Sequence, residues 1–447
     1  MNYNGYTSNA SITTAIVIPL YNNSICTFKY TQTSNNKLVS FQKTAFYGRT
    51  NEISFDPNEV LLLTNYHPLK ISALDTKDFR IFVSCSEEIK LIARYSDLIE
   101  TMGDIYNVFS IKNSGNKYIF EMPTQRSSIK GFIGILPITQ STYISVNILG
   151  YLNGEIFSNE TIQYDTTFST NQRYIAISPL DIKEYNSSII ISATSNFMLT
   201  FASPFITESN FNYDACGDLI CEDYTAFMLM PVVSKECNIM LRQPDQKIMR
   251  NDFTTRLYVS PPSVDNDCNE SFSMDVYDEN NNVKHELISA IGSSTIELTD
   301  KSEMGSSTSG GQIPMFRLGR VINSPGSPLT YGHFGHFVPS IREWVVGKTQ
   351  FYTLATNCII EFYADQDGYN PEFIKLDGIV ISNYNFNYMN YFKKKYGHFT
   401  IPVKGYGLHT FENWGNYVLY VICKNVNNNV YDSAGYVASF NQKKGKR

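Results

Sequence analysis

Along most of the chain, apolar residues either alternate with polar ones or gather in short runs rich in Ile, Val, Tyr, Phe and Thr, bounded by Asn, Gly, Asp and Pro. Period-two patterning and β-branched enrichment predict strands that bury one face or both. The clearest are RIFVS (80–84), SIIISA (188–193), GIVIS (378–382) and NYVLYVI (416–422). DENNN (278–282), DQDGYN (365–370) and NVNNN (425–429) predict hairpin turns, because Asn, Asp and Gly adopt positive φ at low cost. Helical periodicity is nearly absent, and only SIREWVVG (340–347) has room for a turn or two. The Ser- and Gly-rich stretch 302–314 reads as a surface loop.

The strand pattern repeats. Pro19, Pro137 and Pro261 each follow an apolar run, with separations of 118 and 124 residues. Residues 81–95 align on 189–203 without a gap, and 103–119 align on 222–239 with one insertion. Propeller blades and solenoid coils repeat every ~20–50 residues, whereas a β-sandwich needs ~100. The expected fold class is therefore all-β: tandem β-sandwich modules, about four repeats of roughly 95–120 residues, with little helix. The modules are placed at 10–128, 129–247, 248–348 and 349–442, followed by a basic tail at 443–447.

Charged residues make up 17% and aromatic residues 14%, with 31 Tyr against 29 Phe, so Asn, Ser, Thr and Tyr must carry much of the surface. That composition suits a secreted or adhesive β protein. A net charge of −6 provides no basic field for phosphates, which argues against a nucleic-acid partner. No apolar run reaches the ~18 residues of a transmembrane helix, so no membrane span is expected. The first fifteen residues lack the basic start and apolar centre of a signal peptide, so the extracellular reading expects a leader outside this sequence.

Eight cysteines suggest disulfides. Cys26 with Cys85 lies in the first module and Cys358 with Cys423 in the last; Cys216, Cys221, Cys237 and Cys268 can pair in three ways. CGDLIC (216–221) has four residues between its thiols and no accompanying CxxC or HxxxH, so no zinc site is expected. Asn9, Asn22, Asn159, Asn186 and Asn269 are candidate glycosylation sites.

Catalytic signals are sparse. The histidines are His67, His285, His333, His336, His398 and His409, and no GxSxG, Walker loop, GxGxxG or HExxH occurs. His333 and His336 in GHFGHF point to opposite faces of a strand, which predicts aromatic packing. DQDGYNPE resembles a calcium loop but has Leu376 where an EF-hand needs its bidentate Glu. No catalytic residue, metal or cofactor is expected, and the chain is not read as an enzyme. YNFNYMNYF (384–392) carries too many aromatics for one strand to face all of them inward. Tyr384, Phe386, Tyr388 and Tyr391, with Tyr331 in SPLTYGHFG, form the candidate binding patch, since tyrosine brings contact area with few rotors and a polar tip.

GDIYNVFSIKNSGNKYIFEM (103–122), LDIKEYNSSIIISATSNFMLTFAS (180–203), CEDYTAFMLMPVVSKECN (221–238) and GLHTFENWGNYVLYVICKNVNNNVYDSAGYVASF (407–440) occur in an order that resembles the N-terminal domain of IgG Fc-binding mucus proteins. The resemblance covers most of 70–440 and implies a secreted β-rich domain for binding and adhesion in mucus or matrix. The Cys-rich von Willebrand D-type modules that usually follow are absent from this sequence. Expected partners are extracellular protein or glycan. Lectin-like sugar binding and self-assembly into a coat or matrix are alternatives.

Overall fold

The computed structural model describes residues 2–3, 11–63, 71–99, 101–122, 131–139, 142–177, 187–206, 223–265, 267–298, 300–322, 330–429 and 432–440. Among these the chain is strand nearly throughout, relieved by α1 (Pro57–Val60) and single 3-10 turns such as Ile111–Asn113 and Ile341–Glu343.

The strands form four units. A two-residue β1 (Asn2–Tyr3) pairs in parallel with β6 (Leu62–Leu63). Unit 1 comprises β2 (Ser11–Pro19), β3 (Ser24–Thr31), β4 (Leu38–Ala45), β5 (Glu52–Phe55), β8 (Ile81–Cys85), β9 (Ile89–Asp97) and β10 (Met102–Val108). Its sheets run β10-β9-β2-β5 and β4-β3-β8. Unit 2 comprises β11 (Gly115–Glu121), β12 (Gly131–Pro137), β13 (Tyr143–Leu152), β14 (Glu155–Asp165), β15 (Gln172–Ile177), β16 (Ser187–Ile206) and β17 (Asp223–Leu229), and β7 (Ser72–Thr76) joins its edge beside β15. Unit 3 comprises β18 (Asp245–Arg250), β19 (Thr254–Val259), β20 (Phe272–Tyr277), β21 (Val283–Ile288), β22 (Ser294–Glu297), β23 (Glu303–Thr308), β24 (Met315–Ile322) and β25 (Thr330–Phe337). Its sheets run β25-β24-β19-β22 and β18-β23-β20-β21. Unit 4 comprises β26 (Val345–Thr353), β27 (Cys358–Ala364), β28 (Lys375–Leu376), β29 (Ile379–Val380), β30 (Asn385–Tyr391), β31 (Lys394–Val403), β32 (Gly407–Lys424) and β33 (Ser433–Ser439).

All four units share one wiring. In unit 1, β3 pairs with β8 while β2 pairs with β9. In unit 2 the 20-residue β16 does both jobs: β13 pairs with its first half and β12 with its second. The 18-residue β32 repeats this in unit 4, and β23 with β24 repeat the split form in unit 3. The sequence alignment of 81–95 on 189–203 is thus the match of β8 and β9 with β16, and that of 103–119 on 222–239 sets β10 on β17. β11 lies before residue 129 and β26 begins before residue 349, yet β11 pairs with β16 and β26 with β32, so both belong with the strands that come after those positions.

Two local expectations are corrected. The stretch 302–314 is not simply a surface loop, because Glu303–Thr308 forms the largely buried β23 between β18 and β20. Its small residues make room for an aromatic from the next unit: a Cβ on Gly305 would lie 2.6 Å from the Tyr391 ring. GIVIS forms only the two-residue β29, with both side chains exposed at a sheet edge.

The last strands of the units meet one another: β10 touches β17, β17 touches β25, β25 touches β33, and β33 returns to β10. The units therefore close around one hub. Approach there is tight, since a Cβ on Gly332 would lie 2.5 Å from the Ser433 hydroxyl. Apolar clusters also cross unit boundaries, as where Ile16, Ile18, Ile92 and Ile105 of unit 1 pack with Phe362, Leu419 and Val421 of unit 4. Burying one such aliphatic side chain contributes about 1.5–3 kcal/mol, so each unit depends on its neighbours for part of its core.

Candidate binding surface

The expected aromatic patch is only partly at the surface. On β30 the side chains alternate, so Tyr388 stands 58% exposed while Tyr391 is buried against unit 3. Tyr384 and Phe386 are half-buried, their ring centroids 5.6 and 4.6 Å from that of Phe399. Tyr388 packs edge-on against Phe386 and Tyr369. Tyr391 thus leaves the candidate surface. Tyr331 lies in β25, and its side chain is outside the described residues.

A second aromatic feature, missed in the sequence, lies on the outer face of unit 4. Trp414 is 64% exposed and stacks on Phe373, with centroids 4.8 Å apart and planes within 16°. β32 bulges here: between the Val345–Tyr417 and Gly347–Asn413 pairs it has three residues, Trp414 among them, against the single exposed Val346 of β26. The other tryptophan, Trp344, is buried. Strand parity carries the signal that would have found this plate: in FENWGN, Glu412, Trp414 and Asn416 share the outward face while Phe411, Asn413 and Gly415 face in.

The plate is fastened from below. Asn413 donates its side-chain amide to the Gly368 carbonyl at 2.9 Å and accepts from the Gly415 N–H. Asp365 accepts from the N–H groups of Gly368 and Asn416 at one oxygen and from the Asn416 side-chain amide, at 2.6 Å, at the other. The DQDGYN segment is the expected turn, and it anchors β32 beside Trp414. In unit 2 the corresponding stretch of β16 carries Ala193 and Thr194 and lacks the plate.

Other chemistry-bearing side chains join one unit to the next. Arg317 of unit 3 meets Glu361 of unit 4 at 2.6 Å with both side chains sealed from solvent. His398 and the Tyr363 hydroxyl engage the other Glu361 oxygen at 3.1 and 2.8 Å. Burial pushes the Glu361 pKa up, but Arg317 and His398 outweigh it and hold it at about 2. The guanidinium also lies over the rings of Phe334 and Tyr420. His336 stacks on Tyr420 and His333 enters the hub; burial lowers both to about 3, so they stay neutral. Of the GHFGHF pair, His336 shows the expected aromatic packing, between Phe334 and Tyr420.

Three buried carboxyl groups gather at the hub. Asp104 accepts from the N–H groups of Ala226 and Ile105. Asp223 accepts from those of His333 at 2.8 Å and Ser433 at 3.0 Å. Asp432 accepts from the Asn427 side-chain amide. Burial raises all three well above the usual carboxylate range, and the neighbouring acids add to the rise for Asp104 and Asp432.

Cys26–Cys85 and Cys358–Cys423 are bridged as expected, and Cys237–Cys268 is a third cross-link. Cys216 and Cys221 lie outside the described residues, as do Asn9, Asn186 and the 443–447 tail. Asn22, Asn159 and Asn269 are exposed. Among the described residues, no helix is long and apolar enough to cross a membrane. No family model matches the chain, and no curated protein matches it either.

Proposed function

We propose that the chain is a secreted, non-catalytic binding protein that holds glycans on the aromatic plate of unit 4. The exposed Trp414–Phe373 stack is the observation that carries this reading. Large apolar side chains cost solubility when left in water, and a flat aromatic pair anchored by its own hydrogen bonds is organised for contact before a ligand arrives. A sugar ring presents C–H groups on one face and hydroxyls around its rim, which matches an indole flanked outward by Glu412 and Asn416. The disulfides suit an oxidising compartment, and the resemblance to IgG Fc-binding mucus domains agrees with an adhesive role.

The test is a glycan array with the wild type and Trp414→Ala. We expect at least tenfold weaker binding in the variant, about 1.4 kcal/mol, with an unchanged melting temperature because the indole is mostly exposed. Binding should survive chelation, since Asp365 already accepts N–H donors at both oxygens. Equal binding by wild type and variant would remove the plate from the reading. A protein ligand alone, with no glycan hit, would move it to a protein adhesin. Self-assembly is the second reading, favoured by the edge position of β30, and sedimentation that shifts with concentration would support it.

Peptide mapping of protein from its natural source gives a separate check on secretion. It should find glycans on one or more of Asn22, Asn159 and Asn269; bare asparagines with free thiols at Cys26 and Cys85 would contradict an extracellular location.

A further inference from the structure

Residues 230–244 connect β17 of unit 2 to β18 of unit 3, and this connector is pinned to the segment after β19. Ser234 bridges Ser263, the Lys235 N–H donates to the Ser263 carbonyl, and the Ser263 N–H donates to that of Val233. Beyond these lies the Cys237–Cys268 cross-link, with Cys237 exposed and Cys268 half-buried. Cys26, Cys358 and Cys423, by contrast, are each 1% exposed, so Cys26–Cys85 and Cys358–Cys423, the other cross-links among the described residues, each hold at least one buried sulfur. Glu270 stands beside the exposed bridge. One of its oxygens pairs with the Lys235 ammonium; the other accepts from the Asn238 N–H at 2.9 Å and lies 3.8 Å from the Cys268 sulfur. The two sulfurs and a Glu270 oxygen all lie within 4.8 Å of one another, the one such grouping of three His, Cys, Asp or Glu ligands among the described residues.

We propose that Cys237–Cys268 is a reducible latch on this connector, and that the opened pair, with Glu270, takes a thiophilic divalent cation of the zinc class. Exposure decides which cross-link opens first, because exchange requires a thiolate to reach a sulfur. Two molecules of a small thiol such as glutathione supply the two electrons and two protons. The Cys237–Cys268 bond breaks, two protein thiols form, and the small thiols leave joined as their own disulfide. On binding the cation, each thiol releases its proton to water, and the two thiolates and one carboxylate oxygen become ligands with a fourth position open to solvent. The connector is then tied by a sulfur bridge under oxidising conditions and by a metal under reducing ones.

The experiment uses the full chain carrying C216S/C221S, so that no other pair of cysteines outside the buried cross-links contributes thiols. Limited glutathione treatment, alkylation and peptide mapping should label Cys237 and Cys268 while Cys26–Cys85 and Cys358–Cys423 stay joined. Cadmium added to the reduced protein should give a thiolate-to-metal charge-transfer band that saturates at one equivalent. The band should vanish in C237S/C268S, and cadmium affinity should fall at least tenfold in E270Q. E270Q keeps the disulfide, so it reports even if the double serine variant fails to fold. Simultaneous opening of all three cross-links, absence of the band, or unchanged cadmium affinity in E270Q would each overturn the proposal.

Discussion

Arg317→Met should destabilise the protein by about 3–5 kcal/mol, the usual cost of removing one partner from a sealed ion pair. Glu361 would keep only His398 and Tyr363 and would lose the guanidinium that does most to offset its burial. Arg317→Met/Glu361→Gln should recover part of the loss, because the second change removes the charge the first one strands. A coupling of about 0.5–3 kcal/mol in the double-mutant cycle, read by urea unfolding, is expected. Strict additivity would show that the pair does not join units 3 and 4 energetically. The pH dependence follows in sign. Glu361 is held at about 2 in the fold against about 4.3 when unfolded, so its contribution is complete above pH ~4.3 and is lost as pH falls toward 2. The Arg317→Met variant should lose that part of the acid sensitivity.

The hub should respond to pH in the opposite sense. Asp104, Asp223 and Asp432 bind protons more tightly in the fold than the ~3.9 of an unfolded Asp. Stability from these groups is therefore present at acid pH and declines as pH rises from about 4 towards each folded pKa, by up to about 1.4 kcal/mol per pH unit and group. Asp432→Asn should raise the melting temperature at pH 7 and leave it nearly unchanged near pH 4. The difference between variant and wild type isolates the hub from His333 and His336, whose lowered values make the protein less stable as pH falls below about 6.5. A variant that gains nothing at pH 7 would mean that Asp432 is no liability when charged. Asp223→Ala should act differently. It orphans the N–H groups of His333 and Ser433, each worth about 1–3 kcal/mol when left unsatisfied, and should destabilise at every pH.

Much of the architecture was legible in the sequence because strand patterning is local. Pro19 and Pro137 end matching strands, and the gapless match of 81–95 with 189–203 survives although one copy is two strands and the other a single long one. The disulfides of the first and last units were legible too, since each pair falls on neighbouring strands in register, Cys26 opposite Cys85 and Cys358 opposite Cys423. The binding surface was harder to read. Counting aromatics in 384–392 placed Tyr391 with Tyr388, yet alternation along β30 and the approach of Gly305 bury Tyr391. Trp414 passed unnoticed because a lone tryptophan in a strand is more often core, and its exposure depends on which face of β32 the sheet covers.

What the sequence by itself determined is the all-β class, the repeat and the pairing of Cys26 with Cys85 and of Cys358 with Cys423, because alternation and spacing act over a few residues or one repeat length. Only the tertiary structure decided that 302–314 contains a buried strand, that Arg317 meets Glu361, and that Asp104, Asp223 and Asp432 converge with His333 at a common hub. Those choices depend on contacts between residues a hundred or more positions apart, or on how closely one unit packs against the next. In such contacts the burial of a charge or the space above a glycine is a property of the neighbouring unit, and no local pattern encodes it.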